Sequence, residues 1–278
     1  MTTPNFPNDI TETVRRALAE DVGDGDITSA LLPDGSLASA TLISREDAVL
    51  CGIPWFDGVF GQLDDRIKTV WEVADGDGIG PDQVICRITG PARAMLTGER
   101  TALNFLQSLS GTATLARKYA REIQGTKTRI LDTRKTIPGL RAAQKYAVRC
   151  GGCYNHRMGL YDGILIKENH ILAAGSLPAA VRLARERNQD VPVEVEVESL
   201  EECREALDSN AHIILLDNFD LQQIEEAVRI NAGRAKLEVS GGVGLTELRR
   251  VAETGVDYIS IGSLTKHVRA VDFSLRFE

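Results

Sequence analysis

The chain has 278 residues, of which 43% are hydrophobic and 26% charged, a composition that excludes global disorder and leaves room for one large α/β domain or two smaller ones. A formal net charge of −8 and a pI of about 5.2 speak against wholesale binding to nucleic acid. No run approaches the roughly 18 apolar residues of a membrane span, and Met1-Thr2-Thr3-Pro4-Asn5 lacks the basic and apolar regions of a signal peptide. A cytoplasmic protein is expected. Its five cysteines, Cys51, Cys86, Cys150, Cys153 and Cys203, are an odd number scattered through a long chain, so reduced thiols are expected rather than a disulfide framework. Cys150 and Cys153 have thiol-redox spacing but no thioredoxin-like strand before them and no second pair to complete a zinc site. They read as incidental.

In chain order, Ile10, Val14, Ala17 and Leu18 recur at helical spacing and predict a helix over 9–20, capped by Asn8 or Asp9. The run Asp21-Val22-Gly23-Asp24-Gly25-Asp26-Ile27-Thr28 breaks it. That run carries carboxylates but lacks the closing Glu of a calcium loop, so a structural turn is expected. From about 37 to 92 short apolar alternations between Gly, Asp and Pro turns predict an antiparallel β region. Ala74-Asp75-Gly76-Asp77-Gly78-Ile79 is like a turn of biotinyl and lipoyl carriers but has no lysine to modify. Residues 94–124 read as helix, with a break near Ser110-Gly111.

Beyond residue 127 the pattern changes. Strands are predicted at 128–132, 163–167, 191–197, 212–217, 236–239 and 258–261, and helices at about 139–151, 177–188, 200–208, 220–231 and 245–254. Strands alternating with helices mean parallel βαβ units, numerous enough to close or nearly close a barrel, with an open doubly wound sheet as the alternative. The barrel is favoured because nearly every strand ends in chemically useful residues, as the carboxyl-terminal rim of a barrel does.

Those residues are Thr133, Arg134 and Lys135; Lys167, Glu168, Asn169 and His170; Glu196 or Glu198; Asp217 and Asn218; Ser240, Gly241 and Gly242; and Gly262 and Ser263. One at a time, each has an ordinary reading as a solvated strand end, a cap or a turn. Together they pair basic clusters with carboxylates and two small-residue loops, Ser240-Gly241-Gly242-Val243-Gly244 and Ile261-Gly262-Ser263, whose N–H groups could approach a phosphate. Charge follows the same division. Residues 93–170 hold 14 Lys and Arg against 5 Asp and Glu, whereas the rest of the chain holds 18 against 35. Arg134, Lys135, Arg157 and Lys167 suit carboxylate and pyrophosphate groups. Glu196 and Asp217 could take ribose hydroxyls and a shared Mg²⁺. In Val193-Glu194-Val195-Glu196-Val197-Glu198 the strand period of two puts all three glutamates on one face, so Glu194 or Glu198 could stand in for Glu196.

The stretches Glu20 to Thr28, Gly98-Glu99-Arg100-Thr101-Ala102-Leu103-Asn104, Asp132-Thr133-Arg134-Lys135-Thr136-Ile137-Pro138-Gly139, Gly151-Gly152 through Asn155-His156-Arg157, Ile166-Lys167-Glu168-Asn169-His170, Leu216-Asp217-Asn218 and Ser240-Gly241-Gly242 together resemble the quinolinate phosphoribosyltransferase family. The resemblance implies an N-terminal α/β sandwich over 1–112, to which the C-terminal tail returns, and an incomplete α/β barrel over 113–278. It implies a homodimer or larger homo-oligomer with a shared site, and it implies the reaction: quinolinate and phosphoribosyl pyrophosphate give nicotinate mononucleotide, pyrophosphate and CO₂ with Mg²⁺. Carried over by motif, Arg100 (from the partner subunit), Thr133, Arg134, His156, Arg157 and Lys167 would hold quinolinate. Lys135, Asn169, Glu196, Asp217, Ser240, Gly241, Gly242, Ile261, Gly262 and Ser263 would hold phosphoribosyl pyrophosphate, with Lys135, Glu196 and Asp217 catalytic and the two carboxylates toward the metal. Ile137 departs from the family's second threonine, and Lys266-His267 would at most touch a phosphate. Two rivals stand beside this reading: a nicotinate phosphoribosyltransferase without decarboxylation, which needs fewer cations, and a non-catalytic sugar-phosphate sensor on the same scaffold.

Overall fold

The computed structural model describes residues 6–187 and 190–278. The Met1 to Asn5 start and the last residue of the helix expected over 177–188 lie outside the described residues. Two compact units are present: residues up to Lys118 with Thr136–Gly152 and Ser263–Glu278, and Tyr119–Lys135 with Cys153–Gly262. Among the described residues, no helix is long and apolar enough to cross a membrane.

The first unit opens with α1 (Ile10–Val22), which buries Val14 and Leu18. The turn after it is structural, as expected: Asp26 accepts hydrogen bonds from the backbone of Thr28 and Ser29 and from the Thr97 hydroxyl. Antiparallel strands β1 (Leu37–Ser44), β3 (Lys68–Trp71) and β5 (Val84–Pro91) form a sheet in the order β12-β1-β5-β3. Its outer member β12 (Phe273–Phe277) comes from the far end of the chain, in register from Ala40↔Phe277 to Ser44↔Phe273. A small ladder joins β2 (Ala48–Val49) to β4 (Gly78–Ile79).

Two departures from the sequence reading lie here. The β region is interrupted by α2 (Ile53–Leu63), whose Trp55, Phe56, Val59 and Phe60 are buried at helical spacing. Its Pro54, Gly58 and Gly61 imitate a turn-rich segment, but Pro is at home in a first helical turn, where Asp75 accepts the N–H groups of Gly52 and Ile53. The break expected near Ser110-Gly111 is absent: α3 (Ala92–Glu122) runs unbroken through it. Ser110 exchanges hydrogen bonds with the Cys51 backbone. A Cβ on Gly111 would lie 2.0 Å from the Arg269 carbonyl oxygen, so the glycine is there for close approach. Helices α4 (Arg141–Cys150) and α10 (Ser263–Lys266) complete this unit.

The second unit is a six-stranded parallel sheet in the order β6-β11-β10-β9-β8-β7. Its strands are β6 (Arg129–Leu131), β7 (Ile164–Ile166), β8 (Val193–Val197), β9 (Ile213–Asp217), β10 (Lys236–Ser240) and β11 (Tyr258–Ser260). Between them run α5 (Glu168–Ala174), α6 (Leu177–Arg187), α7 (Leu200–Asp208), α8 (Leu221–Asn231) and α9 (Leu245–Glu253). Tyr154 extends the sheet beyond β6 by a bridge to Leu131. Among the described residues no ladder joins the two ends, so this is the incomplete barrel expected. Val193, Val195 and Val197 are wholly buried on one face of β8, leaving Glu194 and Glu196 on the other.

Replacing Gly111 by Ala tests the close approach. Helix propensity alone would stabilise by about 1 kcal/mol, but the collision with Arg269 reverses the sign, and a net loss of about 1–3 kcal/mol is expected in urea unfolding.

Candidate active site

Construction of the site starts at the end of β6. The strand stops at Leu131, and Asp132, fully buried, accepts hydrogen bonds from Asn155 Nδ2 at 2.6 Å and the His156 backbone at 2.9 Å. The next residues bend: Lys135 N–H donates to Thr133 Oγ1 at 3.1 Å, and the chain turns at Arg134. Adjacent Arg134 and Lys135 are therefore free of the strand rule that would send them to opposite faces. Gly262, past the end of β11, abuts this turn: a Cβ there would sit 3.0 Å from Lys135 Cδ.

The Asp132 carboxylate fixes a second cationic turn. Arg157 donates its backbone N–H to His156 Nδ1 at 2.7 Å and its Nη1 to the Gly163 carbonyl at 2.9 Å. Its guanidinium is pushed below the ordinary arginine range by burial and by the nearby charge of Arg134. Neighbouring guanidiniums are suited in charge and shape to carboxylates.

Opposite charge comes from the neighbouring strands. Lys167, just past β7, is ion-paired with Glu196 on β8. Asp217 ends β9 and accepts a hydrogen bond from Asn218 Nδ2 at 2.8 Å. Register places Ser240 beside Asp217. After Ser240 the chain needs glycine twice: Gly241 and Gly242 have φ of +95° and +64°, and a Cβ on Gly241 would meet Asn218 Oδ1 at 2.2 Å. This loop leads through Gly244 into α9, the arrangement by which backbone N–H groups cradle a phosphate.

Deeper on the inner face lies a buried carboxyl pair. His156 Nε2 is 3.0 Å from Glu194 Oε2 and 3.6 Å from Glu238 Oε1, and both glutamates are at most 4% exposed. Burial, followed by the charge of Glu194, pushes the Glu238 carboxyl up to about 8. Glu238 is thus largely protonated at neutral pH.

Of the residues singled out from sequence, the second unit brings Thr133, Arg134, Lys135, Lys167, Asn169, Glu196, Asp217, Ser240, Gly241, Gly242, Ile261 and Gly262 to the carboxyl ends of its strands, while His156 and Arg157 follow the Tyr154 bridge and line the interior beside Glu194 and Glu238. His156 is turned inward, with both ring nitrogens on protein partners. Asn169 donates to Glu168, and His170 caps α5 by accepting the Lys167 N–H. Glu194 is used within the unit and Glu198 is exposed, its backbone N–H bonded to Glu202, which leaves Glu196 at the rim. Arg100, Ser263, Lys266 and His267 belong to the first unit; Arg100 is exposed on α3. All five cysteines are buried and unbridged.

Residues 26–110 match the model of the quinolinate phosphoribosyl transferase N-terminal domain, and residues 112–276 match that of the C-terminal domain. The chain belongs to the quinolinate phosphoribosyltransferase family. It is 43% identical to the nicotinate-nucleotide pyrophosphorylase (carboxylating) of Mycobacterium leprae, covering 95% of each chain, and 41% identical to the probable enzyme of that name in Bacillus subtilis, covering 92% of this chain and 89% of the relative. The solved structure of the nicotinate-nucleotide pyrophosphorylase from Francisella tularensis superposes with a TM-score of 0.96 at 46% identity, covering 100% of this chain and 99% of that one.

Sequence reasoning missed two groups in this family member. Asp132 stood inside a quoted motif without a role, and Glu238 was passed over. The signal for Glu238 was a carboxylate alternating with Leu237 and Val239 in a strand, the pattern that exposed Glu194 and Glu196.

The pH dependence of stability tests the buried pair. Glu238 titrates near 4.5 when unfolded and near 8 when folded, so the stability it contributes is full below 4.5 and lost as pH rises through 8. Wild type is expected to lose ground to Glu238→Gln between about pH 5 and about pH 9 in urea unfolding.

Proposed function

We propose that the chain transfers the phosphoribosyl group of phosphoribosyl pyrophosphate to quinolinate with decarboxylation, giving nicotinate mononucleotide, pyrophosphate and CO₂ in NAD biosynthesis. The observation that carries this reading is a rim that presents Arg134, Lys135, Lys167 and two carboxylates, with Arg157 near enough for its guanidinium to feel the charge of Arg134. A pyridine dicarboxylate needs several cations, whereas a monocarboxylate such as nicotinate needs fewer.

Arg134, Arg157, Lys167 and Thr133 hold the quinolinate carboxylates, with His156 beside them and Arg100 supplied by the partner subunit of a homodimer. Lys135, Asn169, Ser240, Gly241, Gly242, Ile261, Gly262 and Ser263 hold the phosphates. Glu196 and Asp217 take the ribose hydroxyls, and their hard oxygen donors at neighbouring strand ends fit Mg²⁺, which keeps most of its waters and commonly needs only one or two carboxylates. When bound, Mg²⁺ would neutralise charge on the departing pyrophosphate.

Loss of pyrophosphate leaves positive charge on the ribose ring. Lys135 stabilises the leaving group, and the carboxylates of Glu196 and Asp217 lie where they steady the sugar cation. The pyridine nitrogen is the nucleophile, oriented by its carboxylates on the arginines. After ribosylation the positive ring nitrogen stabilises the carbanion left on the adjacent carbon as CO₂ departs, and that carbon then takes a proton from solvent, so no side chain need act as nucleophile. Lys167 and Glu196 neutralise each other without substrates. Quinolinate must draw Lys167 away, which releases Glu196 toward ribose. We place this reaction in the cytoplasm, consistent with five unbridged thiols.

Incubation with quinolinate, phosphoribosyl pyrophosphate and Mg²⁺ should release CO₂; turnover of nicotinate without CO₂ would instead identify the non-decarboxylating rival. Lys135→Ala should lower kcat about 10²–10³-fold, whereas a sensor would show weakened binding and no turnover in either form. Mixing Arg100→Ala subunits with Lys135→Ala subunits should restore activity in heterodimers, and failure to do so would count against a shared site.

A further inference from the structure

Among the described residues, two clusters bring three potential metal-ligating side chains together: Cys51, Asp75 and Cys150 in the first unit, and His156, Glu194 and Glu238 in the second. The first is accounted for, because Asp75 spends both oxygens on Gly52, Ile53 and Tyr146. The second lies in the barrel interior, where the functional reading gives its carboxylates no role.

Its hydrogen bonding decides against a metal. A ligating imidazole donates its other N–H to an acceptor, but His156 Nδ1 faces the Arg157 backbone N–H at 2.7 Å and must itself accept. The proton of the neutral ring therefore sits on Nε2, directed at Glu194. Nor is the ring held by packing alone. His156, Glu194, Glu238 and Arg157 border a cavity of ≈ 300 Å³ that reaches Arg129, Ile164, Ile213 and Tyr258 at the amino-terminal starts of their strands. With space beside it, the imidazole depends on its polar partners for orientation, and the turn from Asn155 to Arg157 depends on the imidazole.

We propose that Glu194, backed by Glu238, is a positioning residue for the pyridine substrate: through His156 it fixes the turn that presents Arg157 to a quinolinate carboxylate. This rests on the assignment of Arg157 to quinolinate above. The chain of contacts runs from Glu194 to His156 Nε2, from His156 Nδ1 to the Arg157 N–H, and from the His156 N–H to Asp132. It ends on Arg157, which is assigned to quinolinate, so its loss should be felt first in the binding of that substrate.

The test is steady-state kinetics of the full-length protein with Mg²⁺. Glu194→Met keeps the volume and removes the acceptor; Glu194→Gln keeps an acceptor. The KM for quinolinate should rise about tenfold to a hundredfold in Glu194→Met, with the KM for phosphoribosyl pyrophosphate within about twofold and most of the loss recovered in Glu194→Gln. In the His156→Leu background, Glu194→Met should raise the quinolinate KM no further, because the two act in series. Equal rises in both KM values, a Gln variant no better than Met, or additive effects in the double variant would overturn the proposal. Should Glu194→Met not fold, Glu238→Leu against Glu238→Gln gives the same comparison, and the absence of a quinolinate-selective rise is again decisive. A wild type that releases no CO₂ from quinolinate overturns the functional reading and this inference with it; a working wild type with unselective variants overturns this inference alone.

Discussion

The constraint on which the second unit depends is the charge placed inside it. Asp132, Glu194, Glu196 and Glu238 all sit on or beside strands of a parallel sheet, and three of the four are almost completely buried. A buried carboxylate without partners is prohibitively costly. Each is therefore answered in its own way: Asp132 by Asn155 and the His156 backbone, Glu194 by His156, Glu196 by Lys167, and Glu238 by keeping its proton. These answers fix where the chain turns. The cationic residues of the rim stand where they do because an interior carboxylate beneath them has already been satisfied by the same turn.

This ordering separates stable interactions from exchangeable ones. Asp132 is held by short hydrogen bonds in a site without solvent, so it acts as part of the scaffold. Lys167 and Glu196 are nearer the surface, with side chains 43% and 13% exposed, and their pairing can be traded for contacts with a ligand at modest cost. In the proposed reaction, substrates with negative carboxylates and phosphates, and a sugar with hydroxyls, would supply the required replacements. Gly241 and Gly262 serve the same design differently. They keep the rim open by omitting side chains where a cation or an amide must come close.

Much of this was legible in the sequence because the βαβ rhythm is strong, and the strand ends carry charged residues that packing alone would not select. The Val and Glu alternation of β8 gave its valine and glutamate faces correctly. What escaped did so for physical reasons. Gly111 reads as a helix breaker, since its propensity is poor, but here a carbonyl from residue 269 occupies the missing side chain's place. Pro54, Gly58 and Gly61 disguise α2 in the same manner, their cost being outweighed by the burial of Trp55, Phe56 and Phe60. Glu238 was invisible for another reason. A lone carboxylate in a strand has no partner in its own neighbourhood of sequence, and its partner Glu194 is brought to it only by the curvature of the sheet.

The sheet of the first unit has a consequence for how the molecule is made. Strand β1 is flanked on one side by β5, close in sequence, and on the other by β12, where Thr41 and Glu278 meet across 237 positions. During synthesis β1 and β5 can pair early, but the other edge of β1 must wait, with its N–H and C=O groups open, until the whole of the second unit has emerged. The sandwich at the start of the chain is thus among the last parts to be finished. Its exposed edge in that interval is the place where a nascent chain is most open to pairing with the wrong strand.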